Sequence, residues 1–155
     1  MKTHRYTTRT TWTGNQGAGT SGYRAYSRNH VLNAGGNPAI PASSDPAFRG
    51  DPERWNPEEL LVASLSSCHM LWYLHLCAEA GIIVTGYEDE AEGQMAEEGD
   101  GAGQFLSVTL HPKITISSGD PAKAERLHHA AHEKCFIARS VNFPVECEPV
   151  IAVGE

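Results

Sequence analysis

The residues of this chain that could do covalent chemistry are its four cysteines, Cys68, Cys77, Cys135 and Cys147. A thiol reacts as its thiolate, and a neighbouring cation is what favours that form. Cys68 has the right company: Arg49 and Arg54 precede it closely, Glu58 opens the same predicted helix, and Cys135 sits on the other predicted helix. Buried cysteines are ordinarily small hydrophobes, and Cys77 and Cys147, which have no matched partner, read that way. The chain has no CxxC pair and no dense cysteine framework. No N-terminal basic segment precedes an apolar run, so the expectation is an unprocessed, soluble protein of a reducing, cytoplasmic compartment. Any disulfide there is catalytic rather than structural.

A second chemistry is legible in the histidines. His128, His132 and Cys135 fall at i, i+4 and i+7 of one predicted helix, with His129 adjacent and His75 on the earlier helix. That spacing suits three metal ligands. The plain alternative is a polar helix face, and a metal held there would tie up Cys135.

Positioning these groups falls to a helix predicted over 56–81. Asn56 can cap it, Pro57 suits its first position, Glu59 can reach back as a capping-box carboxylate, and Gly81 supplies the stop. Leu60, Leu61, Ser64, Leu65, Cys68, Leu71, Trp72 and Leu76 recur at helical spacing, which predicts one buried face. The small residues Ala63, Ser64, Ser66 and Ser67 leave room for another backbone just before the cysteine. Cys68 lies roughly 18 Å beyond the cap, too far for the helix dipole to act on it, so a side-chain cation is required.

Around this helix the sequence predicts N-terminal strands and a loop over 1–55, a hairpin over 82–118, a second helix over 120–142 and a last strand over 144–153. The strands of the first part are read over 4–12 and 20–32. The hairpin joins 82–95 to 104–116 across an acidic, glycine-rich loop, with Pro112 placing part of the second strand at an edge. The loop over 33–55, crowded with proline, glycine and serine, ends in Phe48, Arg49 and Trp55. At 155 residues the chain fits one domain able to bury roughly 70% of its unfolded surface. The fold class expected is α+β, an antiparallel sheet with a long central helix and a late one. A net charge of -7 argues against a nucleic-acid partner, although residues 1–44 carry only basic charges. Serines and histidines interrupt the central helix, which argues against a membrane span.

The run Asn56-Pro57-Glu58-Glu59-Leu60-Leu61, followed by Cys68 and by a second cysteine on the late helix, resembles the osmotically inducible protein C and organic hydroperoxide resistance family (OsmC/Ohr), in particular its OsmC-like branch. The order of elements resembles that family over nearly the whole chain. The resemblance implies a thiol-dependent, peroxiredoxin-like peroxidase of the stress response, in which Cys68 attacks an organic hydroperoxide and becomes a sulfenic acid. Cys135 then resolves it to a Cys68–Cys135 disulfide. Arg49 matches the arginine that stabilises the thiolate, with Arg24 or Arg28 as alternatives, and Glu58 the carboxylate that orients it. Phe136 stands where the family often has proline. Phe48, Leu65 and Trp72 would form an apolar wall for the substrate. No bound cofactor is implied; the reductant the resemblance implies is an external dithiol such as a lipoyl group. The resemblance also implies an intertwined homodimer. On a straight helix Glu58 and Cys68 stand about 15 Å apart, so a shared arginine requires either a break near 64–67 or a Glu58 from a second copy. A non-catalytic domain of the same fold is the remaining reading.

Overall fold

The computed structural model describes residues 1–154 and is α+β, packed as two compact units, Met1–Leu60 and Leu61–Glu155. In the first unit β1 (Arg9–Trp12), β2 (His30–Asn33) and β3 (Ile40–Ala42) form an antiparallel sheet in that order. The strands are shorter than the sequence pattern suggests, because side chains satisfy the intervening backbone. Asn15 Oδ1 accepts from the N–H groups of Gly17 and Gly19, and the Arg28 guanidinium donates to the Tyr23 and Tyr26 carbonyls. Such local bonds compete with a strand ladder. The loop expected over 33–55 contains β3 and a short 3-10 turn, Pro46–Phe48, capped by the Asp45 carboxylate on the Ala47 N–H at 2.7 Å.

Helix α1 (Pro57–Glu79) begins in the first unit and runs unbroken through the second. Its start is a reciprocal capping box: Asn56 Oδ1 accepts from the Glu59 N–H at 2.9 Å, and Glu59 Oε1 from the Asn56 N–H at 3.1 Å. Its end is a Schellman turn. Gly81 takes φ 74°, the Ile82 N–H reaches the Cys77 carbonyl and the Gly81 N–H that of Ala78. The buried stripe is Leu65, His69, Tyr73 and Cys77, one step round the helix from the face the periodicity picked out. Apolar residues lie on nearly every side of α1, so spacing alone does not select the face. An 18-residue window of α1 reaches a mean hydropathy of 1.4, long and apolar enough by composition to cross a bilayer, despite the interrupting serines and histidines. Its buried stripe nevertheless packs on the unit's own sheets, as in a core helix.

Two three-stranded sheets complete the second unit. One is ordered β4 (Ile83–Asp89), β7 (Pro112–Ser118), β9 (Val150–Val153); the other β5 (Glu92–Glu97), β6 (Gly103–Leu110), β8 (Val145–Cys147). The predicted hairpin is present as β5 and β6, but β4 pairs with β7 instead of extending it. The expected antiparallel sheet is therefore mixed: β6 with β8 and β7 with β9 run parallel. Parallel pairing needs a crossover, and α2 (Pro121–Lys134) supplies it. Pro112 begins the central strand β7, where its missing N–H is tolerated. The predicted last strand is two strands, separated at Glu148 and Pro149. Val108 and Leu110 of β6 pack with Leu65, while Ile114 and Ile116 of β7 pack with Tyr73, Cys77, Ala124 and Ala131.

Candidate active site

Helix α2 decides where the second cysteine goes. Asp120 caps it through the Ala122 N–H and Pro121 takes its first position, as the sequence suggests. It stops at Lys134, not at Asn142, because Cys135 turns extended at φ -62° and ψ 115°. The Cys135 sulfur then accepts from the Ala138 N–H at 3.4 Å, at the start of a 3-10 turn over Ala138–Ser140. This turn leaves the buried Cys135 thiol near enough to the thiol of Cys68, half-buried on α1, for Cys68 to shift its proton affinity. Both are free thiols. Burial above all, and then the hydrogen bond and charge of Cys68, push the Cys135 thiol up to about 11, against the Ala138 N–H, which lowers it.

Trp72, one turn beyond Cys68, packs edge-to-face on Phe136 with ring centroids 5.6 Å apart, and the Lys134 ammonium stands 5.6 Å from its ring centroid. Phe136 is 68% exposed. These two rings form an open apolar surface beside Cys135. In the sequence Phe136 stands out only as a departure from the family pattern; in the fold it is the exposed ring packed on Trp72. Leu65, by contrast, is fully buried among Val108 and Leu110 and presents nothing to a substrate; its role as wall is corrected to core.

The remaining predicted residues lie in the first unit. Phe48 is half-buried in the turn that Arg49 closes. Arg49 is exposed, stands 5.9 Å from the Tyr23 ring centroid, and is the one non-glycine among the described residues with positive φ, at 64°. Strain of this kind, held by the Gly50 N–H to Asp45 carbonyl bond, recurs at functional positions. Arg28 is committed to its own segment through Tyr23 and Tyr26, and Arg24 is exposed. Arg54 is held by the carbonyls of His30 and Ala42. Glu58 keeps one carboxylate oxygen, Oε2, buried with no hydrogen-bond partner among the described residues. The break in α1 near 64–67 that would have brought Glu58 toward Cys68 does not occur.

The histidine reading is also corrected. His128 does not assemble with His132 and Cys135, because Cys135 has left the helix. Instead His69 of α1, His128 of α2 and Cys147 of β8 come together inside the second unit. His69 Nε2 lies 2.9 Å from His128 Nδ1, and the Cys147 sulfur lies 3.7 and 3.8 Å from them. The Tyr73 ring stacks on His128 at 3.8 Å and anchors its own hydroxyl on the Ala124 carbonyl. Burial, then His132, lowers His69 to about 4 against the pull of Asp89; burial, then His69, lowers His128 to about 3. Both imidazoles are therefore neutral near pH 7. Burial, followed by the charges of Asp89 and Glu148, raises the Cys147 thiol to about 12. Cys77 is buried beside Tyr73 in the core. His75 and His129 are exposed and pair with Glu79 and Glu133.

Among known proteins, the family model described as OsmC-like protein matches residues 50–149. An OsmC-like protein of unknown function from Vibrio cholerae is 32% identical, with a TM-score of 0.85 over 96% of this chain and 100% of its own. An organic hydroperoxide resistance protein from Elizabethkingia anophelis is 21% identical, with a TM-score of 0.69 over 99% of this chain and 100% of its own. The organic hydroperoxide resistance protein OhrB of Bacillus subtilis is also 21% identical, with a TM-score of 0.62 over 94% and 98%. At 21% identity the likeness is one of fold. No curated protein matches the chain in sequence. With the family model covering most of the chain and a relative 32% identical aligned over 96% of it, the chain belongs to the OsmC-like protein family.

Proposed function

We propose that this protein is a thiol-dependent peroxidase that reduces organic hydroperoxides to alcohols, and that Cys68 and Cys135 form its redox pair. The observation that carries the reading is the closeness of two free thiols from separate elements, one half-buried and one buried, beside the rings of Trp72 and Phe136. The Cys68 thiolate attacks the outer oxygen of the hydroperoxide; the O–O bond breaks, the alkoxide takes a proton and leaves as alcohol, and Cys68 becomes a sulfenic acid. The Cys135 thiol attacks that sulfur, the S–S bond forms and water leaves. A dithiol of low molecular weight or a protein-bound lipoyl group then reduces the disulfide by exchange and is itself oxidised to a disulfide. The high position of the Cys135 thiol makes it a sparse thiolate. Its closeness to Cys68 offsets this, since a held pair reacts as one molecule.

Arg49 is proposed as the cation that stabilises the Cys68 thiolate and the charge developing on oxygen, with Glu58 orienting its guanidinium. The strained backbone of Arg49 and the unpartnered Glu58 oxygen support these roles. Glu58 stands about 15 Å along an unbroken α1 from Cys68, so the carboxylate serving a given Cys68 comes from a second copy in a homodimer.

The test is dithiol-dependent consumption of a bulky organic hydroperoxide, compared with hydrogen peroxide and with a monothiol as reductant. The bulky hydroperoxide with dithiol gives the fastest turnover. Cys68→Ser abolishes it, and Cys135→Ser supports a first turnover and then stalls or overoxidises. Full activity of Cys68→Ser refutes the assignment.

A further inference from the structure

The second unit buries two imidazoles and a thiol in mutual contact, and the peroxidase reading uses none of them. His69 and His128 are 2% and 3% exposed, and they come from different helices. Joined by one hydrogen bond, the neutral imidazole pair holds one of its two protons between the rings, and the far nitrogen of His128, Nε2, is buried with no hydrogen-bond partner among the described residues. That nitrogen is not one of the facing atoms; those are His69 Nε2, His128 Nδ1 and the Cys147 sulfur, gathered as a donor set.

We propose that His69, His128 and Cys147 are a binding site for one borderline-soft divalent cation, zinc in the first instance. The three donor atoms already stand at ligand spacing. Zinc bonds of about 2.05 Å to nitrogen and about 2.3 Å to sulfur can be built on all three at once. With the nitrogens 2.9 Å apart and the sulfur 3.7 and 3.8 Å from them, the N–Zn–N angle comes out at about 90° and each N–Zn–S angle at about 120°. The three angles sum to about 330°, the sum for three faces of a tetrahedron. The cation therefore takes the place of the shared proton, with a fourth position left open.

The donor set selects the class of ion. Two imidazoles and a thiolate suit zinc or its borderline neighbours and offer nothing to magnesium or calcium, which take oxygen. Neutral imidazoles near pH 7 present free lone pairs, and binding displaces the Cys147 proton. A cleft of about 370 Å³ reaches His128 and Cys147 from outside and carries His132, Glu125 and Glu146 on its walls. His132, near enough to His69 to lower its proton affinity, lines the same cleft, and the fourth position is left to solvent or an outside ligand. Because Cys135 takes no part, the site does not compete with the Cys68–Cys135 pair.

Tag-free protein, reduced and treated with chelator, is titrated with Zn²⁺ against a competing chromophoric chelator, and separately with Co²⁺ under absorption spectroscopy. One equivalent binds per chain, and Co²⁺ gives a thiolate-to-metal charge-transfer band that Cys147→Ser abolishes. Cys147→Ser and His128→Asn weaken Zn²⁺ binding by more than about a hundredfold, beyond the effect of losing an outer partner, while Cys77→Ser leaves it unchanged. Wild-type protein without the charge-transfer band, or with equal affinity in Cys147→Ser, overturns the proposal even if a variant folds poorly. Neither readout involves peroxide, so the site and the peroxidase reading stand or fall separately.

Discussion

In partial alkylation of the reduced protein at pH 7, Cys135 and Cys147 label late, and their lag follows from the structure. Cys135 is raised from its ordinary 9.0 to about 11, so its thiolate is about a hundredfold scarcer than that of an unperturbed cysteine. The more basic thiolate is the better nucleophile, which returns a factor of roughly 8 for a Brønsted slope near 0.45. Ionisation alone therefore slows Cys135 about tenfold, and an exposure of 1% slows it further. Cys147, raised to about 12, starts about a thousandfold down in thiolate and recovers roughly twentyfold, for a net slowing of about fiftyfold. The assay is a time course with iodoacetamide, quenched and digested, with each cysteine peptide quantified by mass spectrometry. Cys68→Ser removes the contributions of Cys68 to the Cys135 shift but not burial, the largest, so Cys135 stays slow in that variant. Labelling of Cys135 as fast as an unperturbed cysteine in the native protein refutes the geometry of the pair.

Two further outcomes are expected. Cys68→Ser and Glu58→Ala proteins are each inactive alone, yet unfolded, mixed equally and refolded together they recover about a quarter of wild-type sites, since half the dimers are mixed and each keeps one intact site; no recovery, or a fully active monomer by sedimentation, contradicts the shared site. Metal-free protein loses stability as the pH falls from about 6.5 toward 4. His69 and His128, facing His132 and Asp89, stay neutral in the fold at about 4 and 3 while unfolded imidazoles take up protons, so each contributes at most about 1.4 kcal/mol per pH unit and nothing above 6.5. Urea midpoints that do not change between pH 7 and 5 contradict this.

The sequence made α1 legible down to its capping box, because those signals are local: Asn56, Pro57, Glu59 and Gly81 act on backbone groups a few residues away. It did not reveal where α2 ends. No glycine or proline marks Cys135; the chain turns there through the Ala138 N–H to sulfur bond and near Cys68, an arrangement that exists only in the folded chain. Cys147 looked inert for a related reason. It reaches the histidines through the parallel register of β8 on β6, which pairs Leu110 with Cys147 across a crossover, and no local pattern encodes such a partner. One signal was available for His69: Leu65, His69, Tyr73 and Cys77 recur every four residues, and a histidine within an otherwise buried stripe needs a partner. Leu65 was misassigned because its helix is apolar nearly all round, so spacing could not separate core from site.

The central claim is that Cys68 and Cys135 are one redox pair, and mapping the disulfide tests it most directly. Reduced protein is treated with about one equivalent of organic hydroperoxide, trapped with acid, alkylated and digested, and the linked peptides are identified by mass spectrometry before and after a dithiol. The account predicts a Cys68–Cys135 linkage that forms with loss of both free thiols and disappears on reduction. A Cys68 that pairs with Cys77 or Cys147, or that proceeds to sulfinic acid while Cys135 stays reduced, contradicts it.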